Sequence, residues 1–343
     1  MNTRVLPPDE AALKEAAALI RGGRLVAFPT ETVYGLGANG LDAEAVSRIF
    51  AAKGRPGDNP LILHIASLDA LRPLIACEPS ETARRMMRAF WPGPLTMIFP
   101  RSGRVPANVS AGLDTVAVRF PSHPVAQRLI ALSGVPIAAP SANRSGRPSP
   151  TTAQHVLDDM DGRIPMILDG GPCSVGVEST VIDVTGDVPR VLRPGGVTPQ
   201  MIADVMGAVE VDGAVMRPLK EGEKPRSPGM KYRHYAPEGD LVIFTGDAQT
   251  VADVICDHYD HAAGSAAILA LPGHEALYGD RHVIELGRTD SPESVAAGLF
   301  AALRRLDDEN VKYIFSEAID AEGVGLAVMN RLGRAAAFHI VPV

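Results

Sequence analysis

The strongest constraint on this chain is an alternation: apolar runs of strand length are separated, almost from end to end, by helical stretches with their own start and stop signals. From Leu241 the order is strand LVIFTG, a helix around residues 248 to 259, strands AAILAL and HVIELG, helix PESVAAGLFAALRRLDDEN, strand KYIFSEAI, helix GLAVMNRLGRAAA and strand HIVPV. Strands joined through helices must cross over and return, which predicts a small open sheet with helices on its faces. Residues 1–206 alternate less regularly and predict a mixed α/β unit. There Asp9 caps a helix whose Ala12, Leu13, Ala16, Ala17, Leu19 and Ile20 recur at helical spacing, and Gly22-Gly23 ends it. Asp42 opens a second helix, DAEAVSRIFAAK, closed by Gly54, which leaves Lys53 at its end and Arg55 in the loop beyond.

A length of 343 residues favours two domains, each able to bury a core. The boundaries expected are 1–206 for the first, 207–240 for a Gly-, Pro- and charge-rich linker, and 241–343 for the second. The linker's tail, SPGMKYRHYAP, is unusual for a spacer because it gathers Lys231, Tyr232, Arg233, His234 and Tyr235. The formal net charge of −7 disfavours a general nucleic-acid coat but allows a local basic pocket. Cys77, Cys173 and Cys256 form no CxxC pair, which argues against a disulfide framework or a zinc ribbon and points to a reducing compartment. Neither a signal peptide nor an apolar run of membrane-spanning length is readable, so a cytoplasmic protein is expected.

The stretch FPTETVYGLGANG matches the Gly35-x-Gly37-x-x-Gly40 pattern of a dinucleotide-binding turn. With 33 glycines in the chain a chance match is unremarkable, and the context is wrong. PTETVY, with Pro29, separates the strand from Gly35. An acidic ribose-binding residue is due about 20 positions on, and AAKGRPGDNP stands there instead with Lys53 and Arg55. Fixed cations beside a Gly-Pro turn suit phosphate or carboxylate. The glycines are expected to let a tight loop form. Similar clusters recur in the first unit: KGRPGDNP, WPGPLT, APSANRSGRPSP, GGPCSVGVEST and VLRPGG. Each offers small hydroxyls, backbone N–H groups and a nearby cation at a strand end, which suits a nucleoside triphosphate and a small zwitterion.

Taken in order, PTETVYGLG, KGRP with NPL, WPGPLT, VAVRFP, PSAN followed by SG, VESTV and RPG resemble the YrdC-type threonylcarbamoyl-AMP synthases over roughly residues 10 to 206. SPGMKYRHYAP and the α/β tail resemble the long, two-domain form of that family. The resemblance implies a YrdC-like twisted mixed sheet with flanking helices, followed by a smaller open α/β (Rossmann-like) domain. It implies an ATP-using nucleotidyltransferase that converts L-threonine, bicarbonate (or CO2) and ATP to threonylcarbamoyl-AMP and pyrophosphate. The product would pass to a transferase complex that modifies the adenosine beside the anticodon of tRNAs, with tRNA contact by this chain indirect or weak and no membrane partner.

The resemblance also assigns residues. Lys53 and Arg55 are expected to hold carbamate or bicarbonate oxygens and the triphosphate, in place of the bland alternative of a solvated helix end. Thr32, His64, Arg119, Ser179 and the backbone of Ala139 fall on threonine-binding positions, where Arg119 can pair with the carboxylate. Without the resemblance, His64 in LILHI would read as a core histidine. Arg55, Asn59, Thr115, Ser141, Asn143, Ser149, Arg193 and Tyr235 fall on the ATP side, with Tyr235 carried by a linker that folds over the site as a lid. Mg2+ is expected with ATP, and Glu178 or Asp58 is within the motifs that would meet it, but no spacing fixes a metal ligand. His258 and His261 lack further ligands, and Trp91 could stack a base but reads better as a core or turn-anchoring residue. Two other classes stay open. A carbamoyl-adenylate module of the hydrogenase-maturation type shares this domain but is expected to have upstream regions, whereas this chain starts at the first helix. A non-catalytic RNA-binding or regulatory protein is disfavoured by the net acidity.

Overall fold

The computed structural model describes residues 2–217, 235–289 and 291–343. The first part of the chain supplies β1 (Arg4–Leu6), α1 (Glu10–Arg21), β2 (Val26–Phe28), β3 (Gly35–Asn39), α2 (Ala43–Lys53), β4 (Ile62–His64), α3 (Glu81–Phe90), β5 (Leu95–Pro100) and β6 (Thr115–Arg119). It continues with α4 (Pro124–Ser133), β7 (Ile137–Ala138), α5 (Ala153–Met160), β8 (Met166–Leu168), β9 (Thr180–Asp183), β10 (Arg190–Arg193), α6 (Pro199–Met206) and β11 (Glu210–Val211). These strands form one mixed sheet, ordered β1-β8-β2-β3-β7-β4-β6-β5-β9-β10-β11 among the described residues. The rest supplies β12 (Asp240–Thr245), α7 (Ala248–Asp260), β13 (Ala266–Ala270), β14 (Val283–Glu285), α8 (Pro292–Asp308), β15 (Tyr313–Glu317), α9 (Gly325–Ala335) and β16 (Ile340–Pro342). They make a second, smaller sheet, ordered β14-β13-β15-β12-β16, in which every pairing is parallel.

The helices start and stop where their caps dictate. Asp9 accepts from the Ala12 amide and Asp42 from the amides of Glu44 and Ala45, while Gly54 closes α2 in the left-handed region at φ 62°. Stopping α2 there matters for the site, because it fixes Lys53 on the last turn and turns Arg55 away from the helix axis. Residues 210–211, within the stretch expected to be linker, instead extend the large sheet as its edge strand, parallel to β10. Lys231, Tyr232, Arg233 and His234 lie outside the described residues.

The glycine motif is the main correction to the sequence reading. Gly35 and Gly37 lie within β3, an antiparallel partner of β2, and not in a tight loop. The cause is packing. The Phe28 ring lies over them, and a Cβ on Gly37 would come within 2.8 Å of Phe28 Cε1 and 2.9 Å of Ile137 Cγ2. The glycines thus clear space for an aromatic ring whose edge meets His64, with ring centroids 6.3 Å apart and planes at 88°. An antiparallel β2–β3 pair also leaves no strand-to-helix turn in which a pyrophosphate could sit, which removes the dinucleotide alternative.

Gly37→Ala is expected to cost about 1–3 kcal/mol of stability through overpacking, read as a lowered denaturant midpoint. Gly103→Ala, where an added Cβ meets nothing within 4 Å, is the control and should change stability by less than about 0.5 kcal/mol. Equal midpoints for the two variants would show that the close approach at Gly37 is not constraining.

Candidate active site

One cleft gathers strand ends from the middle of the large sheet. Parallel pairing puts His64 of β4 level with Arg119 of β6, and antiparallel pairing puts Arg119 level with Thr96 of β5. Parallel pairing of β5 with β9 then brings Ser179, which precedes Thr180, beside Thr96. The Ser179 and Thr96 hydroxyls are 2.8 Å apart. Thr32 before β3, Lys53 at the end of α2 and Arg55 after it, Ala139 after β7, and Ser141 and Asn143 of the PSAN loop line the same cleft. Arg193 at the end of β10 and Tyr235 from the chain leading into the second sheet complete it.

Lys53 is 4% exposed, so it is no solvated helix end. Its ammonium donates to the Ser141 carbonyl at 2.6 Å, the Asn143 carbonyl at 2.5 Å and Asn143 Oδ1 at 3.3 Å. These contacts tie Lys53 to the PSAN loop. Burial, and then the Arg55 charge, hold its pKa well below the usual lysine range. Ser141 Oγ in turn donates to Asn143 Oδ1 at 2.5 Å. Arg55 Nη2 reaches the Asn59 carbonyl at 3.1 Å, and its guanidinium carbon lies 6.0 Å from the centre of the Phe50 ring.

Arg119 is also buried, and it is paired. Its Nη2 lies 2.7 Å from Glu31 Oε1 and its Nη1 donates to Thr32 Oγ1 at 2.8 Å. Burial opposes ionisation of Glu31, but Arg119 outweighs it and the Glu31 pKa is lowered. A ligand carboxylate would therefore share a guanidinium that already carries one counter-charge. Arg193 donates from Nε and Nη2 to the Ser179 carbonyl at 3.1 and 2.9 Å, and burial pushes its pKa down to about 10. His64, at 3% exposure, is both a buried histidine and a cleft residue. Burial and the nearby Arg119 push its pKa down to about 3, so the ring is neutral, and its Nδ1 is 3.3 Å from the Ile137 carbonyl.

Three expected site residues do not line the cleft. Ser149 stands behind it and hydrogen-bonds Glu178, which does line it. Asn59 is fully buried just before the lining residue Pro60, and neither polar atom of its amide has a hydrogen-bond partner among the described residues. Thr115 begins β6, and the β4–β6 register carries it to the level of Pro60, far along the strand from Arg119. Tyr235 is 5% exposed at φ 65°, lines the cleft and packs with its ring centre 5.2 Å from that of Phe300 of α8, so the domain-packing description applies to it. Trp91 anchors its turn by donating to the Leu95 carbonyl at 2.7 Å.

Two contributors escape sequence reasoning. Glu31 is the counter-charge of Arg119, signalled only by an acid between two threonines at a strand end. Arg331 on α9 is fully buried and pairs with Glu178 at 2.7 Å. Its trace in the sequence is two arginines, Arg331 and Arg334, on the same helix face as Ala327. Among the described residues no group of three His, Cys, Asp or Glu side chains could hold a metal ion. Both Glu178 oxygens are hydrogen-bonded, one to Ser149 and one to Arg331. No helix among the described residues is long and apolar enough to cross a membrane.

Comparison with known proteins places this geometry. Residues 18–195 match a family model described as telomere recombination, and residues 197–337 match the C-terminal domain model of threonylcarbamoyl-AMP synthases. A Bacillus subtilis threonylcarbamoyl-AMP synthase is 47% identical across 99% of this chain and 97% of its own length. The chain belongs to the threonylcarbamoyl-AMP synthase family, in its two-domain form. A Pyrococcus abyssi threonylcarbamoyl-AMP synthase is 48% identical across 98% of this chain and 97% of its own length. The crystal structure of a Pyrococcus abyssi family member complexed with L-threonine superposes with a TM-score of 0.91 at 46% identity, covering 100% of this chain and 99% of that one. The mixed large sheet and the smaller all-parallel sheet are thus the fold of this family.

The His64 environment makes a pH prediction. Its folded pKa, about 3, lies below the ordinary 6.5, so the unfolded state binds more protons between those values. The stability contributed by keeping the ring neutral is whole above pH 6.5 and is lost as pH falls toward 3, at up to about 1.4 kcal/mol per pH unit. His64→Gln should therefore flatten the acid limb of stability against pH. Identical limbs in the two proteins would show that His64 does not titrate on unfolding.

Proposed function

We propose that this cleft forms L-threonylcarbamoyl-AMP from L-threonine, bicarbonate and ATP with release of pyrophosphate and water, the first step of tRNA N6-threonylcarbamoyladenosine synthesis. The observation that carries the proposal is charge: Lys53, Arg55, Arg119 and Arg193 converge on one cleft in a chain of net charge −7. A zwitterion and a triphosphate are ligands that such a cleft can hold. Full-length relatives of that name support this activity over the hydrogenase-maturation and RNA-binding alternatives.

The reaction needs no nucleophilic side chain, because the threonine amine adds to CO2 and a carbamate oxygen then attacks the α-phosphorus, expelling pyrophosphate. Positioning and charge neutralisation are the protein's share. Thr32, His64, Arg119, Ser179 and the Ala139 backbone would hold threonine. With Nδ1–H directed to the Ile137 carbonyl, His64 keeps Nε2 as an acceptor for the amino acid. The nucleotide would extend from there past Arg55 toward Asn59, whose unpartnered buried amide is suited to a ligand contact, and toward Thr115. Arg55, Ser141, Asn143 and Arg193 would face its phosphates, Ser149 would act through Glu178, and Tyr235 would shield the labile carbamate from water. Mg2+ would ride on the triphosphate and not on a protein cage. The nucleotidyltransferase step would hand its product to a separate threonylcarbamoyl transferase complex, with tRNA contact by this chain indirect.

Pyrophosphate release should require threonine and bicarbonate together, and omitting either should abolish it. Release that persists without threonine would contradict the proposal. Arg55→Glu should reduce turnover by at least about 100-fold by setting a like charge against the phosphates, with the melting temperature nearly unchanged. Full activity in that variant would remove Arg55 from the site.

A further inference from the structure

Helix α9 of the smaller sheet reaches into the wall of the cleft through Arg331. Arg331 Nε donates to Glu178 Oε2 at 2.7 Å, Nη1 to the Pro194 carbonyl at 2.9 Å and Nη2 to the Glu178 carbonyl at 3.3 Å. Asn330 Oδ1 accepts from Nη1 as well, at 2.8 Å, and the guanidinium carbon lies 5.8 Å from the centre of the Tyr235 ring. The other Glu178 oxygen accepts from Ser149. Ser179 follows Glu178 in the chain, and Arg193 precedes Pro194. One fully buried guanidinium is therefore a single step from Ser149, Ser179, Arg193 and Tyr235.

A buried ion pair is poor evidence of stability, since apolar residues of similar volume serve as well or better. What an apolar pair would not do here is join two loops and cancel a carboxylate that faces the cleft. Glu178 lines the cleft among its cations, and burial alone would favour its neutral form. Arg331, Arg193 and the Ser149 hydroxyl hold it ionised. Without Arg331, that negative charge would stand where nucleotide phosphates are expected.

We propose that Arg331 is a positioning residue of the nucleotide site: it neutralises Glu178 and ties the Glu178–Ser179 and Arg193–Pro194 loops together, so that the second unit supplies part of the ATP-binding wall. The proposal rests on ATP binding in this cleft beside Arg193. Arg304 of α8 makes a parallel contact, donating to the Pro148 carbonyl at 2.6 Å and to Asp159 at 2.7 Å. The chain around Ser149 is thus held from the same side.

The test is calorimetric titration of the full chain with ATP, alongside pyrophosphate release. Arg331→Met should weaken ATP binding by at least about tenfold, because truncating one partner of a buried charge pair strands the other. Adding Glu178→Gln to that variant should restore affinity to within about threefold of the Glu178→Gln protein, since the stranded charge is gone. A role confined to folding would not show this recovery. Unchanged ATP affinity in a folded Arg331→Met protein, or a double variant no better than the single one, would overturn the proposal. Should Arg331→Met not fold, Arg331→Lys replaces it. A lysine ammonium is a point charge without the planar fork that spreads donors over Glu178 and the Pro194 carbonyl, so a loss of at least about threefold is expected, and unchanged affinity overturns the proposal. Weakened ATP binding in the variants beside an unaltered protein that binds ATP without threonine-dependent turnover would uphold the proposal and contradict the reaction.

Discussion

Four like charges in one cleft are the constraint around which the first unit is organised. Lys53, Arg55, Arg119 and Arg193 repel one another, and all but Arg55 are almost wholly withdrawn from water. Burying a cation is costly unless its donors are met and its charge is countered. The loops at the strand ends supply both. Backbone carbonyls at Ser141 and Asn143 hold Lys53, Glu31 counters Arg119, and the Ser179 carbonyl holds Arg193. The same contacts that make the cations tolerable also fix them in direction. That preorganisation is what a reaction run by positioning and charge requires.

The smaller sheet closes this arrangement. Val33 and Val177 of the first unit share an apolar cluster with Tyr235, Phe300 and Leu332, so the two sheets meet against the back of the cleft. Gly176 allows that approach, since a Cβ there would come within 2.3 Å of the Ala297 backbone. Through this apolar contact Arg331 reaches Glu178 and Tyr235 reaches the cleft, which makes the wall a joint product of both sheets.

Local signals were legible in the sequence, and non-local ones were not. Asp9 and Asp42 mark their helix starts by residue type alone, and each caps as expected because a cap is a contact within four residues. The alternation after Leu241 likewise led to an all-parallel sheet. Gly35 and Gly37 were misplaced because their reason is Phe28 and Ile137, brought to them only by sheet pairing. Lys53 is marked by its motif, but its partners at Ser141 and Asn143 lie about ninety positions away in sequence, so its tie to the PSAN loop was not legible. Arg331 carried no motif at all. Its partner is 153 positions distant, and only a buried charge on an apolar helix face hinted at it.

Hydrogen exchange of the full chain, with and without ATP plus L-threonine, tests most directly that this cleft is where both substrates meet. Slower exchange is expected in residues 141–149, 176–180 and 193–196 together, with residues 248–260 of α7, remote from the cleft, unchanged. Protection that spares those three loops, or that appears only in the smaller sheet, would contradict the assignment.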